Sequence, residues 1–295
     1  MSLASIKSNW SLLSSVDPKT LAPAIEQIHR GVQFIAMAGK HYIKNEPDDS
    51  HTNLRWLPRE EVLAGNWIRE RQGNFRFAMR PKDLTLIAYN ADMKGVANYP
   101  LNRKTNDEAL EWIKDQLTTF GKDAGLMKMD IHYDIPTHET DNGAPYQFEN
   151  PELFEEMAKY RSNSNLALEY FAQSYKTSST VRTWPHHFDH GVYIPMVFDD
   201  GEDPIKSFSI GMGIPDPASE EPYYYITTWS KDGDNEYKDL PKLPHGQWIS
   251  EPFKGAVLKA SEIVKSKSAA QQSKIVMDFL KAGIAASLNI LGIDQ

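Results

Sequence analysis

"TVRTWPHHFDHGVYIPMVF", residues 180–198, decides how the second half of this chain is built. His186, His187, Asp189 and His190 fall within five positions of it. On a helix, His186 and His190 would stand one turn apart and could share a metal. Pro185, Gly191 and Pro195 interrupt a helix, and Val192, Tyr193 and Ile194 suit a pleated surface. The stretch therefore reads as a strand over about 181–197. Its side chains alternate, with Trp184, His186, Phe188, His190, Val192 and Ile194 on one face. His187, Asp189 and Tyr193 take the other. At ~3.3 Å per residue, His186 and His190 are about 13 Å apart, too far for one metal ion. His187 and Asp189 are about 6.6 Å apart. That spacing suits convergence on a ligand, or an imidazole–carboxylate hydrogen bond.

The following segments extend the sheet. "KSFSIGMGI" (206–214) places Phe208, Ile210, Met212 and Ile214 on one face and Ser207, Ser209, Gly211 and Gly213 on the other. A face almost without side chains implies close approach by something, either a ligand or a bulky neighbour such as Tyr223. "GMG" is no nucleotide fingerprint, lacking the third glycine and the strand-to-helix turn. "EPYYYITTW" (221–229) follows Glu221 with Tyr223, Tyr225, Thr227 and Trp229 on one face, which supplies either ordinary core or the aromatic wall of a pocket.

Working outward, Asp17-Pro18 opens a helix whose stripe is Leu21, Ile25, Ile28, Val32 and Ile35, with Gly39 near its end. Residues 44–53 form a polar loop. "HTNLRWLP" is a short strand with Leu54 and Trp56 on one face, preceded by the polar pair His51 and Asn53. Residues 74–90 read as a hairpin turning at Pro81-Lys82-Asp83. Thr105 and Glu108 make a capping box ahead of a helix. Residues 126–136 read as a strand, 137–150 as a polar loop and the internal boundary, and 150–175 as a long helix. A loop over 231–247, a helix over 252–264 capped by Ser250, and a helix over about 270–290 complete the chain. The fold class is α+β, mostly antiparallel sheet with packed helices. It is arranged as two α+β halves, 17–136 and 150–292, that share an order of elements and form one compact unit.

Composition narrows the chemistry. The chain has 295 residues, 40% hydrophobic and 11% aromatic, enough for a sizeable core. A net charge of −8 disfavours nucleic acid and anionic membrane as partners. The absence of cysteine removes disulfides, thiolate metal sites and cysteine nucleophiles. No secretory leader or spanning run is evident, so the expected location is cytoplasmic.

The segments "HTNLRW", "HYDIPTH", "WPHHFDHG" and "EPYYYITTW", in that order, resemble an uncharacterised bacterial family, a domain of unknown function. The resemblance runs from about residue 20 onward. It matches Phe188 and Asp189 best, then Glu221 and Pro222, and it implies a fold without implying an activity. His186 and His187 are not part of its shared pattern.

Function is thus read from residues. The first expectation is a small-molecule binding protein or enzyme with a polar and aromatic pocket. His187 would be a base oriented by Asp189, and Trp184, Tyr223, Tyr225, Glu221, His51 and Asn53 would be the ligand-binding groups. The alternatives are a protein–protein interaction module, or a metal-dependent hydrolase drawing on His187, Asp189 and His51. No motif names a cofactor, and the oligomeric state is open.

Overall fold

A computed structural model describes residues 2–71, 73–233, 237 and 240–293. The chain divides into two compact units. Unit 1 comprises residues 1–20, 159–181 and 189–295, and unit 2 comprises 21–158 and 182–188. The expected boundary loop, 137–150, lies inside unit 2. Of the 231–247 loop, residues 234–236, 238 and 239 lie outside the described residues. Among the described residues no helix is long and apolar enough to cross a membrane.

Helix α1 (Leu3–Asn9), capped by Ser2, opens unit 1 and carried no sequence signal that we read. Unit 2 begins with α2 (Ala22–Tyr42). Asp17-Pro18 heads a separate 3-10 turn, Pro18–Thr20, so the helix starts later than the proline implies. Its stripe is buried as expected. Gly39 does not stop it, because the helix runs on to Tyr42.

Strands β1 (Arg55–Leu57), β2 (Val62–Ala64), β3 (Phe75–Arg80), β4 (Thr85–Asn90) and β5 (Gly95–Pro100) form an antiparallel sheet in chain order. The expected hairpin is β3–β4, turning through a 3-10 turn at Pro81–Asp83. Both its faces are buried. Phe75 stacks on Phe120 at 4.1 Å and Phe77 meets Trp112 edge-on, which seats α3 (Asn106–Thr119) on that face. Ala78, Ile87 and Tyr89 join Val62 and Ala64 in a cluster on the other. Each fully buried phenylalanine contributes on the order of 2 kcal/mol through area removed from water. Helix α3 starts with the capping box read from Thr105 and Glu108.

Residues 126–136 are not a strand. Met127, Met129, Ile131, Tyr133 and Ile135 do face inward in alternation with exposed neighbours. The period-2 signal is real, but among the described residues no strand pairs with this segment. Side chains of α2 hold it instead: Lys40 donates to the Asp130 carbonyl, His41 bonds the Asp130 carboxylate at 2.7 Å, and the Tyr133 hydroxyl donates to Gln33 at 2.8 Å.

The long helix expected over 150–175 is α4 (Pro151–Ala172). The expected strand over 181–197 is two pieces, β6 (Arg182–Thr183) and β7 (His190–Phe198), broken by a turn at 185–187. The Phe188 N–H donates to the Trp184 carbonyl at 2.7 Å, and Phe188 takes a left-handed φ of 53°. That local bond and proline's fixed φ replace pleating. The face assignment of His186, His187 and Asp189 drawn from strand alternation therefore fails.

Unit 1 pairs β7 with β8 (Pro204–Gly213), β9 (Tyr223–Ser230), β11 (Gly255–Lys259) and β10 (Gln247–Ile249), in the order β7-β8-β9-β11-β10. The helix expected over 252–264 is mostly β11, with only α5 (Ala260–Val264) helical. Val257 suits a strand as well as a helix, and pairing with β9 decides the matter. Helix α6 (Ala269–Ile290) buries Val276, Leu280, Ile284 and Leu288 as read, and packs on the Ile226 face of the sheet. Gln272 of α6 exchanges two hydrogen bonds with the Leu13 backbone, tying the N-terminal segment to unit 1.

The small-residue face of β8 has its explanation in β9. Tyr225 lies opposite Gly211 and Tyr223 opposite Gly213. A Cβ at Gly211 would stand 2.4 Å from the Tyr225 ring, and one at Gly213 would stand 2.7 Å from the Tyr223 ring. The glycines make room for tyrosines of the next strand, which is the bulky-neighbour reading.

Candidate functional site

In unit 1, the Tyr225 hydroxyl donates to Asp189 Oδ2 at 2.5 Å, and Tyr223 donates to Asp216 at 2.6 Å. Burial first, then the Asp189 charge, pushes the Tyr225 hydroxyl well above its ordinary range, so it stays a protonated donor. Arg161 of α4 is fully buried and pushed down to about 9 by desolvation, which the Asp189 carboxylate opposes. His190 is held well below its ordinary range, by burial first and the Arg161 charge second. Glu221 accepts the Ser261 N–H at 2.6 Å, at the start of α5. These contacts join strands and helix ends and satisfy buried groups, which is the work of architecture.

A pH dependence follows from His190. An unfolded histidine takes up a proton below about pH 6.5, and the folded one does not. Stability is therefore full above that value and falls as pH drops below it, by up to about 1.4 kcal/mol per pH unit. Thermal melts between about pH 6.5 and 5 are expected to show this decline, and His190→Asn is expected to flatten it.

In unit 2, Trp184, His186 and His187 sit in or beside the 185–187 turn. His186 contacts the rings of Trp184, Tyr133 and His187. The carbonyl of Pro185 accepts from His29 and Gln33 of α2, both at 2.8 Å, and His29 stacks on Phe188 at 4.9 Å. The turn is thus anchored through its backbone and Phe188.

His51 and Asn53 lie elsewhere in unit 2, at a cavity of about 730 Å³. It exceeds the cavities beside Arg30 (about 320 Å³) and beside Trp229 (about 250 Å³). Its floor forms as follows. Asp49 takes a left-handed φ of 58°, and a 3-10 turn, Ser50–Thr52, then lies directly against α2 at Gly39. Asn66 donates to the carbonyls of Ser50, His51 and Asn53 at 3.0–3.3 Å, clamping the segment. Asn53 is among the residues lining the cavity, with its side-chain amide sealed beneath the surface. It is only 3% exposed, and neither its Oδ1 nor its Nδ2 has a hydrogen-bond partner among the described residues. An unmet buried amide costs roughly 1–3 kcal/mol.

The walls are cationic. Lys44, Arg55, Arg69 and Arg182 line the cavity against Glu46 alone. Arg182 arrives through β6, because Leu54 and Thr183 exchange backbone hydrogen bonds at 3.0 and 2.8 Å. It pairs with Asp48 at 3.6 Å. Burial raises the Asp48 carboxyl, but hydrogen bonds from Ser50 and the Arg182 charge outweigh it and leave the carboxyl lowered. Glu70, next to Arg69 in sequence, is taken by Lys122 at 2.8 Å. Arg55 and Arg69 have no ion-pair partner among the described residues. Trp67 also lines the cavity, with the Arg76 guanidinium 4.2 Å from its ring centre. Arg76 is lowered mainly by burial, and Arg55 adds to the lowering as a like charge.

His51 does not suit metal ligation here. Its Nδ1 accepts the Glu46 N–H at 3.2 Å, so the proton sits on Nε2, which faces Asp49 at 3.6 Å. Ligation through Nε2 would need the opposite tautomer and would break that bond. Among the described residues no group of three or more His, Cys, Asp or Glu side chains is placed to hold a metal ion.

Sequence reading reached His51 and Asn53 but not Arg55, Asn66, Trp67, Arg69 or Arg182. The available signal was "NWIRER" (66–71), an aromatic interleaved with arginines beside an asparagine. Comparison with known proteins finds no matching family model, no similar curated protein and no similar solved structure.

Proposed function

We propose that this protein binds a small anionic molecule in the unit 2 cavity. The observation that carries the reading is local charge. In a chain of net −8, Arg55 and Arg69 face the cavity without a carboxylate partner among the described residues. Like charges held together around a concavity cost free energy until an anion offsets them. The volume of about 730 Å³ is within the range that holds a small molecule. Arginine's planar fork matches carboxylate and phosphate oxygens.

Isothermal titration with inorganic phosphate and with a dicarboxylate is expected to give saturable, salt-sensitive binding. Arg55→Ala and Arg69→Ala should each weaken it by about 10- to 100-fold, the loss of one charge-assisted hydrogen bond, with little change in melting temperature. No saturable binding, or binding indifferent to both substitutions, overturns the reading.

A protein–protein surface is the second reading. It is favoured by the exposed rings of Tyr193, Phe198 and Trp229 in unit 1. Trp229→Ala leaves anion binding unchanged under the first reading.

A further inference from the structure

We infer that unit 1 carries a binding site of its own, a cleft on its sheet that takes a neutral oligosaccharide. It is independent of the unit 2 cavity and of the anion reading.

The cleft has a volume of about 250 Å³, and its lining includes Tyr193 of β7, Ser207 and Ser209 of β8, and Thr227 and Trp229 of β9. Register explains the grouping. Tyr193 pairs with Ser209 and Ser209 with Thr227, while Ser207 pairs with Trp229, so these side chains share one face. At Gly211 and Gly213 that face is filled by Tyr225 and Tyr223. At Ser207 and Ser209 the residues opposite on β9 are Trp229 and Thr227, and the face stays open.

Two observations point to a ligand. The first is hydroxyl groups that protein does not meet. The side chains of Ser207, Ser209 and Thr227 make no hydrogen bond among the described residues. Ser207 is only 1% exposed, yet its Oγ is not among the sealed atoms, so the accessibility it keeps is at the hydroxyl, on the cleft. The second is the pair of rings. Trp229 is 49% exposed and Tyr193 39%, whereas indole in folded proteins is highly buried on average.

The chemistry of the lining selects the occupant. No charged side chain lines the cleft, in a chain with 24% charged residues, so the complementary ligand is neutral. A purely apolar ligand would leave the three hydroxyls unmet, at roughly 1–3 kcal/mol for each one it buries. A pyranose satisfies both demands. Its C–H face lies against an aromatic ring, and its hydroxyls donate and accept, as those of serine and threonine do. Two strand spacings and two residues separate Tyr193 from Trp229, about 12 Å between Cα atoms. That span suits two linked sugar units, one against each ring.

The test is an array of neutral α- and β-linked hexose oligosaccharides, probed with the labelled full chain as wild type, Trp229→Ala and Ser207→Ala. The strongest hit is then titrated by calorimetry at low and high salt, with melting temperatures alongside. Wild type is expected to bind it with an affinity indifferent to salt, because no charge is involved. Trp229→Ala should weaken binding by about 10-fold or more, the loss of one stacking ring, with the melting temperature held. Ser207→Ala should weaken it by about 2- to 10-fold without lowering the melting temperature, because the hydroxyl has no protein partner to lose. Arg69→Ala should change neither. No oligosaccharide bound by wild type, or a hit that survives Trp229→Ala, overturns the proposal, and so does a hit lost in Arg69→Ala. Self-association that Trp229→Ala abolishes, with no oligosaccharide bound, assigns this face to a protein partner instead.

Discussion

Gly39→Ala is expected to destabilise unit 2 and to abolish ligand binding in its cavity, although alanine is the better helix former. In an exposed helix this exchange favours folding by about 1 kcal/mol. Here a Cβ would stand 2.5 Å from the His51 carbonyl oxygen and 3.2 Å from the Thr52 Cα. Both are backbone atoms of a segment that Asn66 holds by hydrogen bonds, so no side-chain rotation relieves the clash. Overpacking of this kind costs roughly 1–3 kcal/mol and outweighs the propensity gain. The alternative to paying that cost is displacement of the Ser50–Thr52 turn, which shifts the chain that leads on to Arg55 at the cavity wall. The two routes appear together as a melting temperature lowered by several degrees, at about 2–4 °C per kcal/mol, and a loss of anion affinity. A variant as stable as wild type and still binding would mean the turn does not need this close approach.

Gly211→Ala is expected to cost more, about 3 kcal/mol or above, because packing and hydrogen bonding fail together. Three atoms of Tyr225 would lie within 2.4–2.6 Å of the new methyl group. The ring cannot simply tilt, since its hydroxyl is bound to Asp189 at 2.5 Å. Moving it strands a carboxylate that offsets the buried Arg161 charge. Tyr225→Phe isolates the hydrogen-bond share and should cost less than Gly211→Ala. Gly95→Ala is the control, because nothing comes nearer than 3.5 Å there and stability should hold. Denaturant unfolding of the three variants separates the contributions. Equal losses in Gly211→Ala and Gly95→Ala would remove the close-packing account of the β8 glycines.

The elements legible in the sequence are those whose signal is complete within one segment. The capping box at Thr105 and Glu108, the α6 stripe from Val276 to Leu288, and the β3–β4 hairpin each carry their own periodicity and their own stop. Residues 126–136 show the limit of that logic, since alternation was present and a partner strand was not. Residues 252–264 show it again, with apolar positions that fit a helix or a strand until pairing with β9 chose. In "HHFDH" the cluster of titratable groups drew attention, yet a turn bonded from Phe188 back to Trp184 removes the alternation on which its chemistry was read.

What the sequence by itself determined is the α+β class and the main helices, because local periodicity and capping are enough for each; the tyrosine-over-glycine packing on β8 was left open against a ligand until the β8–β9 register placed Tyr225 opposite Gly211. What only the tertiary structure decided is the site. His51, Asn53 and Arg55 are neighbours in the chain. The cavity also needs Tyr42 from the end of α2, Trp67 and Arg69 from the segment after β2, and Arg182 delivered by a backbone pair with Leu54. Whether an arginine has a carboxylate beside it, or a buried amide a partner, depends on groups far away in sequence. Unmet charge and unmet hydrogen bonds are therefore properties of the folded arrangement, and no pattern along the chain encodes them.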